Sequence, residues 1–267
     1  LLYSSINDKR NTAEQIFKAI QKVSKENEIS SWHILFPEED EKDLFESLGL
    51  STRKNVQFMW KNNNYESFDH FLEFFSSRNR KNLKKERRKI IEQNLEIRRF
   101  SGNQISSDLV DDFYSFYVDT HLKRSGHSGY LNKDFFEQIT NAIPDNILMV
   151  LAYKDSRAVA GSFFFYDQNN LYGRYWGASN DYNALHFECC YYQGIDFCIE
   201  KNIKRFDPGV QGEHKIKRGF EPTFTFSSHW IENYDFSLAI KDFLLREDKY
   251  IKDYHQDAST LLPFKDL

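Results

Sequence analysis

ILMVLAYK (147–154), RAVAGSFFFY (157–166) and LYGRYWGA (171–178) decide the fold of this chain, because three apolar segments rich in aromatic and β-branched residues are separated only by KDS and DQNN. These connectors are polar and of hairpin length, so the segments read as consecutive antiparallel strands. Just downstream, LHFECCYYQGIDFCIEKN (185–202) reads as a helix, IKRFDPG (203–209) as a strand ended by Pro208 and Gly209, and TFTFSSHWI (223–231) as another strand. Upstream, NLEIRRF (94–100) reads as a strand, and Ser107 to His121 and Lys133 to Ala142 as helices, with Ser106 or Ser107 as N-cap of the first. A last amphipathic helix is expected from about Phe236 to Tyr254. The series is β-α-α-β-β-β-α-β-loop-β, which predicts a mixed α/β (α+β) fold with a central sheet flanked by helices.

Further out, residues 1–66 offer a polar helix near Thr12 to Asn27, a strand at WHILF (32–36), a short acidic helix at 40–48 and a strand at VQFMW (56–60), the pattern of half an α/β domain. The chain begins at Leu1 rather than Met and its first residues read as the end of a strand, so this first half is expected to be incomplete, the remnant of a longer N-terminal domain. Ser67 to Leu95 is helical throughout, aromatic at first (Phe68, Phe71, Leu72, Phe74, Phe75) and basic later, as two helices or one bent helix. Within 78–89 (RNRKNLKKERRK), eight cations face Glu86 alone, a net of +7 against −11 for the remainder. Such segregation fits a phosphate-holding segment, or a solvated connecting helix whose charges cover most of its circumference. The expected division is therefore 1–66, a basic helical connector at 67–93, and a second domain at 94–267.

Composition narrows the class. The chain has 267 residues, 40% of them hydrophobic, with 25 Phe, 15 Tyr and 4 Trp, which excludes wholesale disorder. A formal charge of −4 demands no polyanionic partner. No stretch approaches the roughly 20 apolar residues of a membrane-spanning helix, and LLYSSINDKR is too short and polar for a secretion signal, so a cytoplasmic location is expected. Cys189, Cys190 and Cys198 lie in one helical segment and suit reduced, packed thiols better than a disulfide framework.

Three places carry residues suited to chemistry. At 100° per residue, Phe187, Cys190, Tyr191, Gly194, Ile195 and Cys198 share one helix face, Gln193, Asp196 and Glu200 lie opposite, and Glu188 falls on the apolar arc. A carboxylate there is paired or faces a cavity, and burial would raise its pKa toward that of a general base; the alternative is a first-turn Glu favoured by the helix dipole. His186 and Glu188 form an H-x-E pair whose members point in different directions, so no metal is expected. Glu247 falls within the apolar stripe of the last helix and reads as a structural ion pair. The second place is the loop from Asp207 to Phe220, where Gly209, Gly212 and Gly219 surround Gln211, Glu213, His214, Lys215, Lys217 and Arg218. Glycine-rich backbone with cations suits an anionic, phosphate-bearing group, and His214 or Glu213 could move a proton; the alternative is a polar surface loop. The third is Arg174, Tyr175 and Trp176, leading to Gly177 and Ser179.

YGRYWGAS, LHFECCYYQGIDFCIEKNIKRFDPGVQGEHKIKRGFEP, QFMWKN, SRNRKNLKKERRKI and YLNKDFF resemble the bacterial FemAB-like family of tandem GNAT acyltransferase-fold proteins, which carries the label of peptidoglycan biosynthesis or recognition. The strand order above is that of a GNAT domain, and Arg174 to Ser179 resembles the [Q/R]-x-x-G-x-[G/A] turn by which GNAT enzymes hold an acyl-CoA pyrophosphate, with Ser179 departing from the pattern. The distantly similar Fem transferases move an amino acid from aminoacyl-tRNA to the amine of a peptidoglycan precursor. Their Asp-x-x-Gly strand end and Lys-Phe turn are resembled by Asp207 in FDPG and by Lys217 and Phe220 in KIKRGF. The resemblance implies an N-acyltransferase or aminoacyltransferase acting on a small-molecule or peptidyl amine, with acyl-CoA or aminoacyl-tRNA as donor, no permanently bound cofactor, and tRNA contact through 78–89. Glu188, His214 and Asp207 are then the catalytic candidates. Arg174, Tyr175, Trp176, Gly209, Gln211, Gly212, Glu213, Lys215, Lys217 and Arg218 are the binding candidates. A different class, a non-catalytic module holding a cell-wall precursor or other anion, fits the same residues.

Overall fold

A computed structural model describes residues 8–210 and 212–265; the expected N-terminal strand end and the candidate Gln211 lie outside the described residues. In chain order the elements are α1 (Lys9–Glu26), β1 (Ser31–Leu35), α2 (Glu39–Ser47), β2 (Ser51–Lys61), α3 (Phe68–Glu73), α4 (Ser77–Glu92), β3 (Glu96–Ser101), α5 (Ser107–Ser125), α6 (Lys133–Ala142), β4 (Ile147–Lys154), β5 (Arg157–Tyr166), β6 (Asn170–Ala178), α7 (Leu185–Phe187), α8 (Gln193–Lys201), β7 (Arg205–Asp207), β8 (Glu221–Ile231) and α9 (Tyr234–Thr260). The mixed α/β class and the helix-flanked mixed sheet expected from the sequence are both present.

The chain forms two compact units whose borders differ from 1–66, 67–93 and 94–267: residues 8–57 join Pro222–Thr260, and Phe58–Glu221 take back residues 261–265. The aromatic and basic helices α3 and α4 thus belong to the second unit, and α9 to the first. In the first unit the strand order is β1-β8-β2, with β1 antiparallel to β8 and Trp32 opposite Trp230. Phe17, Phe45 and Leu50 are buried beneath those two indoles, which stack 6.1 Å apart. Arg53 donates to both carboxylate oxygens of Glu247 at 2.8 and 2.6 Å, which accounts for that acid within the apolar stripe of α9.

In the second unit the order is β2-β7-β6-β5-β4-β3, antiparallel throughout except for the parallel pair β6 and β7. β4 is buried from Ile147 to Tyr153, as a central strand covered on both faces must be. Met149 and Leu151 pack with Phe113, Phe136 and Phe163 against α5 and α6, each such side chain contributing about 1.5–3 kcal/mol by leaving water. Ser106 caps α5 and Asn132 caps α6, both through side-chain oxygens that accept backbone N–H groups. Between α7 and α8 the helix does not keep the expected 100° step: Glu188–Tyr192 form a π-helical turn, which widens the spiral by one residue.

Candidate functional site

β6 and β7 begin side by side and then part. Their parallel register covers Asn170 with Arg205, Leu171 with Phe206 and Tyr172 with Asp207, and there β7 ends. Pro208 cannot donate to a ladder and Gly209 turns the backbone away at φ +90°, whereas β6 continues to Ala178. Among the described residues no strand covers this edge of β6 beyond Tyr172. The parting opens a cavity of about 510 Å³.

A bulge shapes one wall. Phe163 pairs with Tyr175 but Phe164 with Gly173, so Arg174 is an extra residue on β6. Bulges of this kind re-aim side chains. Arg174, Tyr175 and Trp176 all line the cavity, and the Arg174 guanidinium reaches Asp207 at 3.2 Å and lies over the Tyr172 ring. Asp207 places its other oxygen on the Gly209 N–H at 2.9 Å, so both carboxylate oxygens are engaged in holding the turn.

The facing wall is a 3₁₀ helix, Glu213–Arg218. Gly212 enters it at φ +107°, where a Cβ would stand 2.1 Å from the His214 ring, so only glycine lets the imidazole fold back over the turn. Lys215 is 1% exposed and its ammonium donates to the Gly209 carbonyl. Burial lowers its pKa to about 8, with Asp207 acting in the opposite direction. His214 Nε2 lies 2.9 Å from the Tyr191 hydroxyl, and burial together with Arg218 and Lys215 holds this imidazole below its ordinary pKa. His186 is lowered to about 4 by burial and by His214, so it is neutral at physiological pH. Tyr191 is buried and its phenol pushed upward, so it too stays neutral.

The cavity gathers Arg174, Tyr175, Trp176, Gly209, His214 and Lys215 from the candidates. Gly212 and Glu213 lie on the same turn outside the lining, Lys217 is exposed, and Arg218 is buried with Nη2 on both oxygens of Glu86 at 2.8 and 2.9 Å. Arg218 also donates to the His214 carbonyl at 2.7 Å and stacks 3.4 Å from the Phe187 ring centre, so its charge fastens the turn to α4 and α7. Glu188 does not line this cavity. It is 3% exposed and lines a second one, its Oε1 accepting from Arg87 at 3.0 Å and Gln193 at 2.7 Å. Burial raises its pKa against the opposing pull of Arg87.

Sequence reasoning missed Arg124, at the end of α5, and the lining roles of His186, Cys190 and Tyr191. A basic residue in a last helical turn reads only as a partner for the helix dipole, and Tyr191 reads only as packing. With Arg124, Arg174, Lys215 and two imidazoles, the lining residues include no acid. Such a cleft favours an anionic group and offers neutral imidazoles for proton movement.

Fold and cleft together define a mixed α/β protein with a cation-lined cleft at an uncovered edge of its sheet. The chain belongs to the FemAB-like family of peptidoglycan biosynthesis/recognition, whose family model matches residues 1–266. Among solved structures it is similar to the C-terminal domain of a protein described as a lysylphosphatidylglycerol synthetase from Agrobacterium fabrum (TM-score 0.63, 11% identity, 90% of this chain and 78% of that one). It is similar also to L-PGS from Bacillus licheniformis (TM-score 0.59, 10% identity, 86% and 78%) and to FemX (TM-score 0.59, 11% identity, 88% and 80%). At these identities the likeness is one of fold. No curated protein sequence matches the chain. Among the described residues no helix is long and apolar enough to cross a membrane.

Proposed function

We propose that the cleft transfers an acyl or aminoacyl group from an activated carboxyl donor, a thioester or an ester, to an amine. The observation that carries this reading is the buried Lys215 ammonium, held by the Gly209 carbonyl beside the open edge of β6 in a cleft lined by cations and neutral imidazoles. The donor is already activated, so positioning and charge stabilisation supply most of what the reaction needs. The amine nitrogen attacks the carbonyl carbon as the C–N bond forms, and negative charge grows on the carbonyl oxygen, where Lys215 stabilises it. His214 takes the proton that the amine sheds. The C–O or C–S bond then breaks and His214 returns that proton to the leaving oxygen or sulfur. Arg124 and Arg174 hold phosphate on donor or acceptor. FemAB-like membership and the likeness to FemX support the aminoacyl form, with aminoacyl-tRNA as donor and a cell-wall precursor amine as acceptor.

The test is single-turnover transfer from aminoacyl-tRNA and from acyl-CoA to an amine acceptor. Lys215→Met is expected to lower the rate by about 10²–10³, and His214→Ala by about 10²–10⁴. Undiminished rates in both variants would sink the assignment. A second reading, a non-catalytic module that holds an anionic precursor, is favoured by two observations: Asp207 is engaged at a turn and Glu188 lies outside the cleft. Tight precursor binding without transfer from either donor would establish it.

A further inference from the structure

We propose that the second cavity, about 710 Å³ between α3, α4 and the start of β3, is a binding site for an anionic amphiphile: a molecule with an apolar chain or ring system and one phosphate group. This inference does not rest on the transfer reaction, because the cavity shares no lining residue with the cleft. Its character grades from inside to outside. Leu72, Ile90 and Leu95 form a buried apolar floor, while Lys84 and Arg88 stand exposed at the rim. The Lys84 ammonium has the exposed Asp69 at 2.8 Å, and Arg88 has no hydrogen-bonding or ionic partner among the described residues. A lone guanidinium above an apolar floor matches a ligand that ends in a phosphate.

A second, independent observation lies in the floor. Glu188 is 97% buried and lines this cavity, yet only Oε1 is bonded; Oε2 has no hydrogen-bond partner. Buried polar atoms in folded proteins are ordinarily met by a partner, so the position calls for a polar group on whatever fills the space. The neighbouring groups are already engaged elsewhere. The Arg87 guanidinium is fixed between Glu188 and Asp196 at 3.0 and 2.8 Å and lies over the Phe68 ring, and the Gln193 amide already serves Oε1. A hydroxyl or amide within the apolar part of the ligand fits this requirement.

The test is calorimetric titration of the full chain with octyl phosphate below its micellar concentration, alongside inorganic phosphate and octanol. Octyl phosphate should bind at least roughly tenfold more tightly than either, since each buried methylene adds several-fold. Arg88→Glu, a change at an exposed position, should weaken binding by roughly fivefold to tenfold, and Ile97→Trp should block it by filling the wall. Lys215→Met should leave the affinity within about twofold, since its charge faces the other cavity. Equal affinity for inorganic phosphate, loss of binding in Lys215→Met but not in Arg88→Glu, or no binding at all would overturn the proposal. Should Ile97→Trp fail to fold, the Arg88→Glu comparison alone decides.

Discussion

Lys215 is the residue at which burial and charge conflict most openly. Its pKa of about 8 in the folded chain lies below the ordinary lysine value of 10.5. Between those two pH values the unfolded chain holds a proton that the native one has released, so this group makes stability rise with pH across that window and penalises the fold below it. The full span corresponds to about 3 kcal/mol. Urea unfolding of the native protein and of Lys215→Met, compared from pH 7 to pH 10.5, should therefore show a difference that narrows as pH rises; a constant difference would mean the ammonium is solvated. His186, held at about 4 by burial, acts at the other end. Its native pKa lies below the unfolded value, so stability falls as pH drops from about 6.5 to about 4, and His186→Asn should flatten that part of the profile.

At the scale of elements, the 3₁₀ helix bearing His214 and Lys215 is fastened to α4 by the ion pair from Arg218 to Glu86. Glu86→Ala leaves a guanidinium with 8% side-chain exposure without its carboxylate, and should cost about 3–5 kcal/mol. Glu86→Gln keeps a hydrogen bond and should recover part of that loss, both read from chemical unfolding. The sequence showed the opposite emphasis, because in a run of eight cations Glu86 looks incidental. It is nonetheless the acid on which the turn depends, and only a tertiary contact between α4 and the loop reveals it. Where structure is local, the sequence was legible. The limits of β4, β5 and α6 follow from hairpin spacing and apolar periodicity, and Pro208 with Gly209 marks where β7 must stop. The helix from Leu185 was legible only in outline. A constant 100° step puts Gln193 opposite the apolar face, whereas the π turn brings it onto Glu188, and no residue type announces that turn. Its inner wall is met by Ser162, whose hydroxyl donates to the Cys189 carbonyl at 2.9 Å. Ser162→Ala removes this buried hydrogen bond and should cost about 0.5–1.5 kcal/mol in the same unfolding measurement.

At the scale of the whole molecule, sequence position and spatial membership diverge. Residues 261–265 follow α9 of the first unit but belong to the second, where Phe264 bridges to Phe75 and its ring lies 5.2 Å from that of Phe75 and 6.5 Å from that of Phe71. Phe264→Ala should therefore destabilise the second unit by about 2 kcal/mol, seen as faster amide exchange in α3 while β1 and β8 keep their protection. The pairing of β1 with β8 has a further consequence on the ribosome. Ser31 meets Ile231 across an interval of 200 residues, and at about 5–20 residues per second that interval takes roughly 10–40 s to synthesise. All that time the first strand waits without its mate, and β3 to β6, complete at Ala178, become available to one another before that mate arrives. The nascent chain thus carries a bare apolar edge for many seconds, and translation speed, as much as final stability, sets how much of this protein escapes aggregation.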